Sequence, residues 1–222
     1  MNILETLKQN GYILKDPWDA VTLFENRLAK YAGSKYAVCV DSCSNAIFLC
    51  LKYLEIKDRI IIIPKHTYAS VPMQVIHAGN KVRFLDIPWS GYYHLSDSEL
   101  GRTPIVDGAV KFCKNMYIPD TYYTVSFHHR KTLKIGTGGV ILTDDEKFVN
   151  WCRPMIYDGR HKYVLHSEDN YECIGYHMYM TPEQAATGLI LMENIPDKNP
   201  DTGSSTTYKD LSLQKVFYKH LG

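Results

Sequence analysis

A lysine, an aspartate, a tyrosine and a group of serines stand just past short apolar runs of this 222-residue chain. Lys131 lies within SFHHRKTLKIGTGG (126–139), with Ser126 and His128 before it and three glycines after it. Asp107 closes PIVD, Tyr68 follows RIIIIP in PKHTYAS, and Ser42, Cys43 and Ser44 follow AVCV. Each has a plain reading. Lys131 can be a solvated loop lysine, Ser44 a helix N-cap, Asp107 a turn cap and Tyr68 a packing aromatic. Their chemistries nevertheless complement one another. An amine can attack a carbonyl, a strand-end carboxylate wants a cation, and a helix start with hydroxyls suits a phosphate.

That set matches the needs of pyridoxal phosphate: a Schiff-base lysine, a carboxylate for the pyridinium nitrogen, an anion site and an aromatic cover for the ring. Other chemistries fit less well. His128 and His129 are adjacent, so their side chains diverge, and no HxH or HxxxH spacing supports a metal. A Ser-His-Asp hydrolase wants a GxSxG elbow, which the chain lacks.

The elements that must position these residues alternate between helical and extended patterns. WDAVTLFENRLAKYAG reads as an amphipathic helix closed by Gly33, and SNAIFLCLKYL as a buried helix starting near Ser44. AVCV (37–40), RIIIIP (59–64), KVRFLDI (81–87), PIVDG (104–108), YYTVSF and GGVILTD read as strands. SVPMQVIHAG (70–79) and DEKFVNWCRPMIYDG read as helices. TPEQAATGLILMENI opens on Thr181 with Pro182 and Gln184, a capping-box pattern. The alternation indicates an α/β sheet with helices on both faces. WSGYYHLSDSELGRT (89–103) reads as a long loop, and PDKNPDTGSSTTYKD as a linker or mobile tail before LSLQKVFYKHLG.

Bulk properties narrow the class. The net charge of +1, from 25 basic and 24 acidic residues without a polybasic run, argues against nucleic acid. Cys39, Cys43, Cys50, Cys113, Cys152 and Cys173 form no CxxC pair and read as free thiols in a reducing compartment. No apolar run approaches the ~18 residues of a membrane span, and the N-terminus lacks a signal-type apolar core. A soluble cytoplasmic protein is expected.

The order of motifs resembles the DegT/DnrJ/EryC1/StrS family of sugar-nucleotide aminotransferases. FENRLAKYAGSKYAVCVDSCSNAIFLCLKYL is similar to the family's opening helix, strand and phosphate turn, and SFHHRKTLKIGTGGVILTDD to its SFHxxKxxxxGEGG stretch. PIVDGAV resembles the strand bearing the pyridinium-binding aspartate, and GYHMYMTPEQAATG the later GYNYRMxxxQAAxG segment. The resemblance runs from about residue 20 to 195. It implies an α/β, fold-type-I large domain with a mainly parallel sheet over residues 1–195. Residues 196–222 follow as a polar linker and short segment, with the C-terminal small domain largely absent.

The resemblance also implies roles. Lys131 is the Schiff-base residue and proton shuttle, and Asp107 the partner of the pyridine nitrogen. Ser42, Cys43, Ser44 and Ser126 anchor the phosphate, and Tyr68 covers the ring. His177 reaches the phosphate of a partner subunit in a homodimer with shared sites. The implied reaction transfers an amino group from a donor such as glutamate to a keto-sugar, in the nucleotide-linked form used in surface polysaccharide or amino-sugar synthesis. Alternatives are an elimination or racemisation, or a non-catalytic binding protein. Lys131 argues against the dehydratase branch, which carries histidine there. Departures from the family pattern are Cys43 for glycine, Val110 for Gln or His, Thr137 for glutamate, His177 for asparagine and Tyr179 for arginine. A strand–helix unit is also missing between Asp86 and Asp107.

Overall fold

The computed structural model describes residues 3–222. Two helices open it, α1 (Ile3–Gln9) and α2 (Asp19–Ala32), before β1 (Tyr36–Val40) and α3 (Cys43–Tyr53). There follow β2 (Ile60–Pro64), α4 (Ser70–His77), β3 (Lys81–Leu85), β4 (Tyr93–Asp97), β5 (Gly101–Asp107), β6 (Tyr122–Ser126) and β7 (Gly139–Thr143). Helices α5 (Glu146–Ile156) and α6 (Pro182–Leu191) complete the regular elements, with short 3₁₀ turns near the C-terminus. Gly33 stops α2 with a φ of 85° and a backbone bond to Ala29, a left-handed conformation that glycine adopts without a Cβ penalty. Thr181 and Gln184 form the expected capping box on α6.

The seven strands form one sheet in the order β1-β7-β6-β5-β4-β2-β3. β2–β3 and β5–β6 pair in parallel, and the other neighbours pair antiparallel. Five strands therefore run one way, with only β4 and β7 reversed. The sheet is mainly parallel in strand direction, as expected for this α/β fold. Side chains alternate across it. Ala37, Cys39, Val125, Val140 and Leu142 pack with α2 and α6. Val38, Val40, Ile61, Ile105 and Ile141 pack with α3, α4 and α5 on the other face.

Strand direction places the chemistry. The C-terminal ends of β1, β2, β5 and β6 converge at one end of the sheet, where ligands of such sheets bind. The two reversed strands bring their N-terminal ends to the same place. β7 delivers Gly139, and β4 delivers Tyr93.

Two expectations need correction. The stretch 89–103 is not a plain loop, because β4 and the start of β5 lie inside it. Tyr93, Leu95 and Asp97 point into the protein in strand alternation. Asp97 masks that pattern in sequence and is accommodated by Arg59, whose Nε and Nη2 donate to it at 2.7 and 3.0 Å. β4 fills the sheet position between β2 and β5.

The C-terminal stretch is likewise packed rather than linker-like. Thr202 N–H donates to Val110 O at 2.8 Å, Ser205 N–H to Trp89 O at 3.0 Å and Leu211 N–H to Lys65 O at 2.8 Å. Leu211 and Phe217 are buried, and Phe217 meets Phe84 with ring centroids 5.4 Å apart. Pro and polar residues suggested mobility, yet their backbone groups find partners across the body. All six cysteines are free thiols, with four fully buried. Among the described residues, no helix is long and apolar enough to cross a membrane.

Candidate active site

A cavity of about 610 Å³ opens at this end of the sheet. Its walls include Ser42, Cys43, Ser44, Tyr68, Asp107 and Lys131, and Ser126 joins them. Seven of the eight residues singled out from sequence thus share one cavity. His177 does not. It lies 72% exposed, its Nδ1 2.9 Å from Asp158, in a separate depression with Asp41, Ser42 and Thr137.

The corner at the start of α3 begins at Ser42, which caps the helix by accepting from Asn45 N–H at 3.2 Å. Amides of the first helical turn, at Cys43 and Ser44, have no intrahelical acceptor and carry the positive end of the helix dipole. Ser44 and Ser70 share a hydroxyl contact of 2.6 Å. The glycine-rich turn after Lys131 presses on this corner. A Cβ on Gly139 would stand 2.5 Å from the Cys43 nitrogen, so only glycine permits the approach. Gly136 and Gly138, with φ of 119° and 122°, let the turn pass over it. The glycines behind Lys131 thus serve the packing of two loops, one bearing the amine and one the anion corner.

Asp107 ends β5 with 6% exposure. Its Oδ1 accepts from Ala109 N–H at 3.0 Å and its Oδ2 from Tyr93 O–H at 2.7 Å. Burial raises its pKa above the usual carboxylate value, while the Tyr93 bond pulls it back down. Across the cavity, burial lowers the pKa of the Lys131 ammonium, opposed by attraction to Asp107. Among the described residues no ion pair joins the two, so their charges face each other with space between. Burial also pushes the Cys43 thiol well up, and it sits beside both charges as an inert wall.

The outer wall comes from elsewhere in the chain. Tyr68 is 59% exposed, and its ring meets Tyr208 edge-on at 6.4 Å. Tyr208 stacks on Trp89 at 5.9 Å, and burial beside Asp107 raises its hydroxyl pKa to about 12. Trp89 Nε1–H donates to His66 O at 2.8 Å, which fixes the wall to the end of β2. Tyr93, Trp89, Thr202 and Tyr208 carry no motif in the sequence that marks them for this wall. The alternation of Tyr93, Leu95 and Asp97 was the one local signal for the first of them.

Three of the departures are absorbed by their surroundings. Val110 is buried, and its carbonyl accepts from Thr202. Thr137 Oγ1–H donates to Asp41 O at 3.2 Å, tying the turn to the strand end before α3. Tyr179 packs edge-on to Trp18 and Tyr157.

The donor set fits pyridoxal phosphate: a buried carboxylate, an amine shifted toward neutrality, a helix start able to hold a dianion and an aromatic at the rim. Comparison with known proteins points the same way. A model of the DegT/DnrJ/EryC1/StrS aminotransferase family matches residues 2–97 and 119–215. The unmatched stretch contains Asp107, so its assignment rests on its place in the cavity. The chain is 29% identical to the spore coat polysaccharide biosynthesis protein SpsC of Bacillus subtilis, over 88% of this chain and 61% of that one. It is 24% identical to a UDP-4-amino-4,6-dideoxy-N-acetyl-beta-L-altrosamine transaminase of Campylobacter jejuni, over 89% of this chain and 63% of that one. The sugar aminotransferase Spr1654 of Streptococcus pneumoniae, in its PMP form, superposes with a TM-score of 0.66 at 19% identity, covering 86% of this chain and 64% of that one. The chain thus spans somewhat under two thirds of the length of these relatives. It belongs to the DegT/DnrJ/EryC1/StrS aminotransferase family.

Proposed function

We propose that the protein is a pyridoxal phosphate-dependent aminotransferase. It moves an amino group from a donor such as glutamate to a keto-sugar, in the nucleotide-linked form, within cytoplasmic amino-sugar or polysaccharide synthesis. The observation that carries this reading is Lys131 and Asp107 facing one cavity, each displaced by burial from its ordinary pKa. The names of the Bacillus and Campylobacter relatives support the sugar substrate.

Pyridoxal phosphate, when bound, supplies an electron sink and carries the amino group between substrates. The Cys43 and Ser44 amides, with the hydroxyls of Ser42, Ser44 and Ser126, would hold its phosphate. Asp107 would pair with the ring nitrogen and keep its proton there. Tyr68 would cover the ring. Lys131, its amine drawn toward neutrality, is suited to attack a carbonyl carbon and then to move a proton at the reacting centre. Residues 1–195 form the cofactor-binding unit, and 196–222 its short C-terminal segment.

The working form is a homodimer with shared sites. Exposed His177 beside the helix start at Ser42 supports this, as do the exposed apolar residues Tyr163, Leu165, Tyr171 and Ile174 in the stretch between α5 and His177. Cofactor binding and dimerisation then reinforce each other.

Absorption spectroscopy tests the reaction. Added pyridoxal phosphate should give a protein-bound visible band that glutamate converts, and a keto-sugar should restore it. A band indifferent to every amino donor would assign the site to elimination or racemisation. The absence of a band would leave a binding role. Sedimentation should show the apo-protein dissociating at higher concentration than the loaded protein, with His177→Ala weakening both properties. A monomer with concentration-independent affinity would sink the shared site.

A further inference from the structure

We propose that Tyr93 and Thr67 are positioning residues for Asp107, a buried hydroxyl relay that β4 brings against the carboxylate. The inference rests on the cofactor reading above.

The register of the sheet makes the relay. Tyr93 pairs directly with Asp107 in the β4–β5 ladder, so the two side chains stand on the same face. Tyr93 Oη lies 2.7 Å from Asp107 Oδ2, and Thr67 Oγ1 lies 2.6 Å from Tyr93 Oη. Proton direction follows from chemistry. An ionised carboxylate only accepts, so Tyr93 donates to Asp107 and Thr67 donates to Tyr93. All three are nearly sealed from solvent, at 2% exposure for Thr67 and 6% for both Tyr93 and Asp107. Trp89 packs on the Tyr93 ring with centroids 5.1 Å apart and holds its orientation.

The relay has work to do because the surroundings oppose ionisation. Asp107 is faced by Lys131 from the loop after β6, Cys43 from the start of α3, Tyr123 from β6 and Tyr208 from the C-terminal segment. Of these only Lys131 is cationic, and it makes no ion pair with Asp107. Ala109 N–H and Tyr93 O–H are the direct donors from this chain that keep the carboxylate ionised and aimed at the cavity. Thr67 immediately precedes Tyr68, so the residue covering the ring and the relay behind its partner share one loop. Val110, packed and apolar, offers no hydrogen bond of its own side chain to the ring.

The test is cofactor affinity in a double-mutant cycle, read by equilibrium titration with pyridoxal phosphate across pH. Tyr93→Phe keeps the ring and removes one hydrogen bond to a charged group. It should raise the dissociation constant about tenfold at neutral pH. The acid limb of binding should also move to higher pH, because an unassisted Asp107 protonates earlier. Thr67→Val should act in the same direction by roughly twofold to threefold. Tyr92→Phe, at the residue just before β4, should change neither quantity. In an Asp107→Asn background the Tyr93→Phe effect should largely vanish, since the relay has no carboxylate to serve. Additive losses with an unmoved acid limb would make Tyr93 a packing residue and overturn the relay alone. A parent protein that does not bind pyridoxal phosphate would overturn the cofactor reading and the relay together.

Discussion

The floor of the cavity and its outer wall are built by different means. The floor comes from strand ends and what directly follows them: Ser42 and the start of α3 after β1, Asp107 at the end of β5, and Ser126 at the end of β6 with the turn to Lys131. Asp107 is buried and the other polar groups are half-buried, held by backbone amides and glycine packing. The outer wall joins Tyr68 and Trp89 to Thr202 and Tyr208, residues more than a hundred positions apart, through stacked rings and isolated backbone bonds. Buried charge on rigid elements suits chemistry that tolerates no displacement. An aromatic wall of separate segments suits recognition, where rings offer area and accept small shifts. The two regions should therefore fail differently when perturbed.

The largest effect belongs to the floor. Lys131→Ala should end borohydride-dependent labelling of the protein by pyridoxal phosphate and lower turnover by roughly a thousandfold or more. The fold should survive, because the side chain lies in a polar turn that is only half-buried. A change in unfolding free energy within about 1 kcal/mol is expected. Peptide mapping that finds the label on Lys134 or Lys111 would move the reactive amine and break the division drawn here.

Gly139→Ala probes the same floor without touching a reactive group. The added Cβ would meet the Cys43 nitrogen at 2.5 Å, the Ser42 carbonyl carbon at 2.7 Å and the Cys43 Cα at 2.9 Å. All three are backbone atoms and cannot rotate away. Overpacking of this kind costs about 1–3 kcal/mol, and relief requires the phosphate corner to move. Thermal unfolding should register the cost, and affinity for pyridoxal phosphate should fall about tenfold. Unchanged affinity in a destabilised protein would show that the corner tolerates displacement, contrary to its role as a rigid floor.

The same division explains what the sequence disclosed. Floor residues were legible because each follows its strand within a few positions, and type and spacing alone tie Lys131 to Gly138 and Gly139. The strands were legible from apolar runs such as RIIIIP and GGVILTD. β4 was not, because Asp97 breaks its apolar pattern, and the cation that makes a buried carboxylate acceptable there comes from the distant Arg59. The outer wall was hidden for a related reason. Nothing local to Tyr208 announces that its carbonyl will meet His66 Nδ1 at 2.9 Å, or that its ring will lie on Trp89. The polar, Pro-rich stretch before it imitates a free linker. Long-range pairing within the chain, not propensity, decides its place.

Tyr208→Ala gives the smallest effect and the sharpest division between the regions. The ring lies on Trp89, meets Tyr68 edge-on and shares the buried side of the cavity with Asp107. It makes no hydrogen bond to Asp107, whose oxygens take Tyr93 and Ala109 instead. Its removal should leave the cofactor and the glutamate half of the reaction nearly untouched. The sugar half should suffer, since a ring worth about 0.5–1.5 kcal/mol of contact beyond its area is lost from the wall. The expected reading is a KM for the sugar acceptor raised by about threefold to tenfold, with kcat little changed, the signature of lost uniform binding. Single-turnover measurements of each half-reaction separate the outcomes. A loss confined to the sugar half assigns Tyr208 to recognition. Equal loss in both halves would place Tyr208 on the floor beside Asp107 and erase the distinction between the two regions.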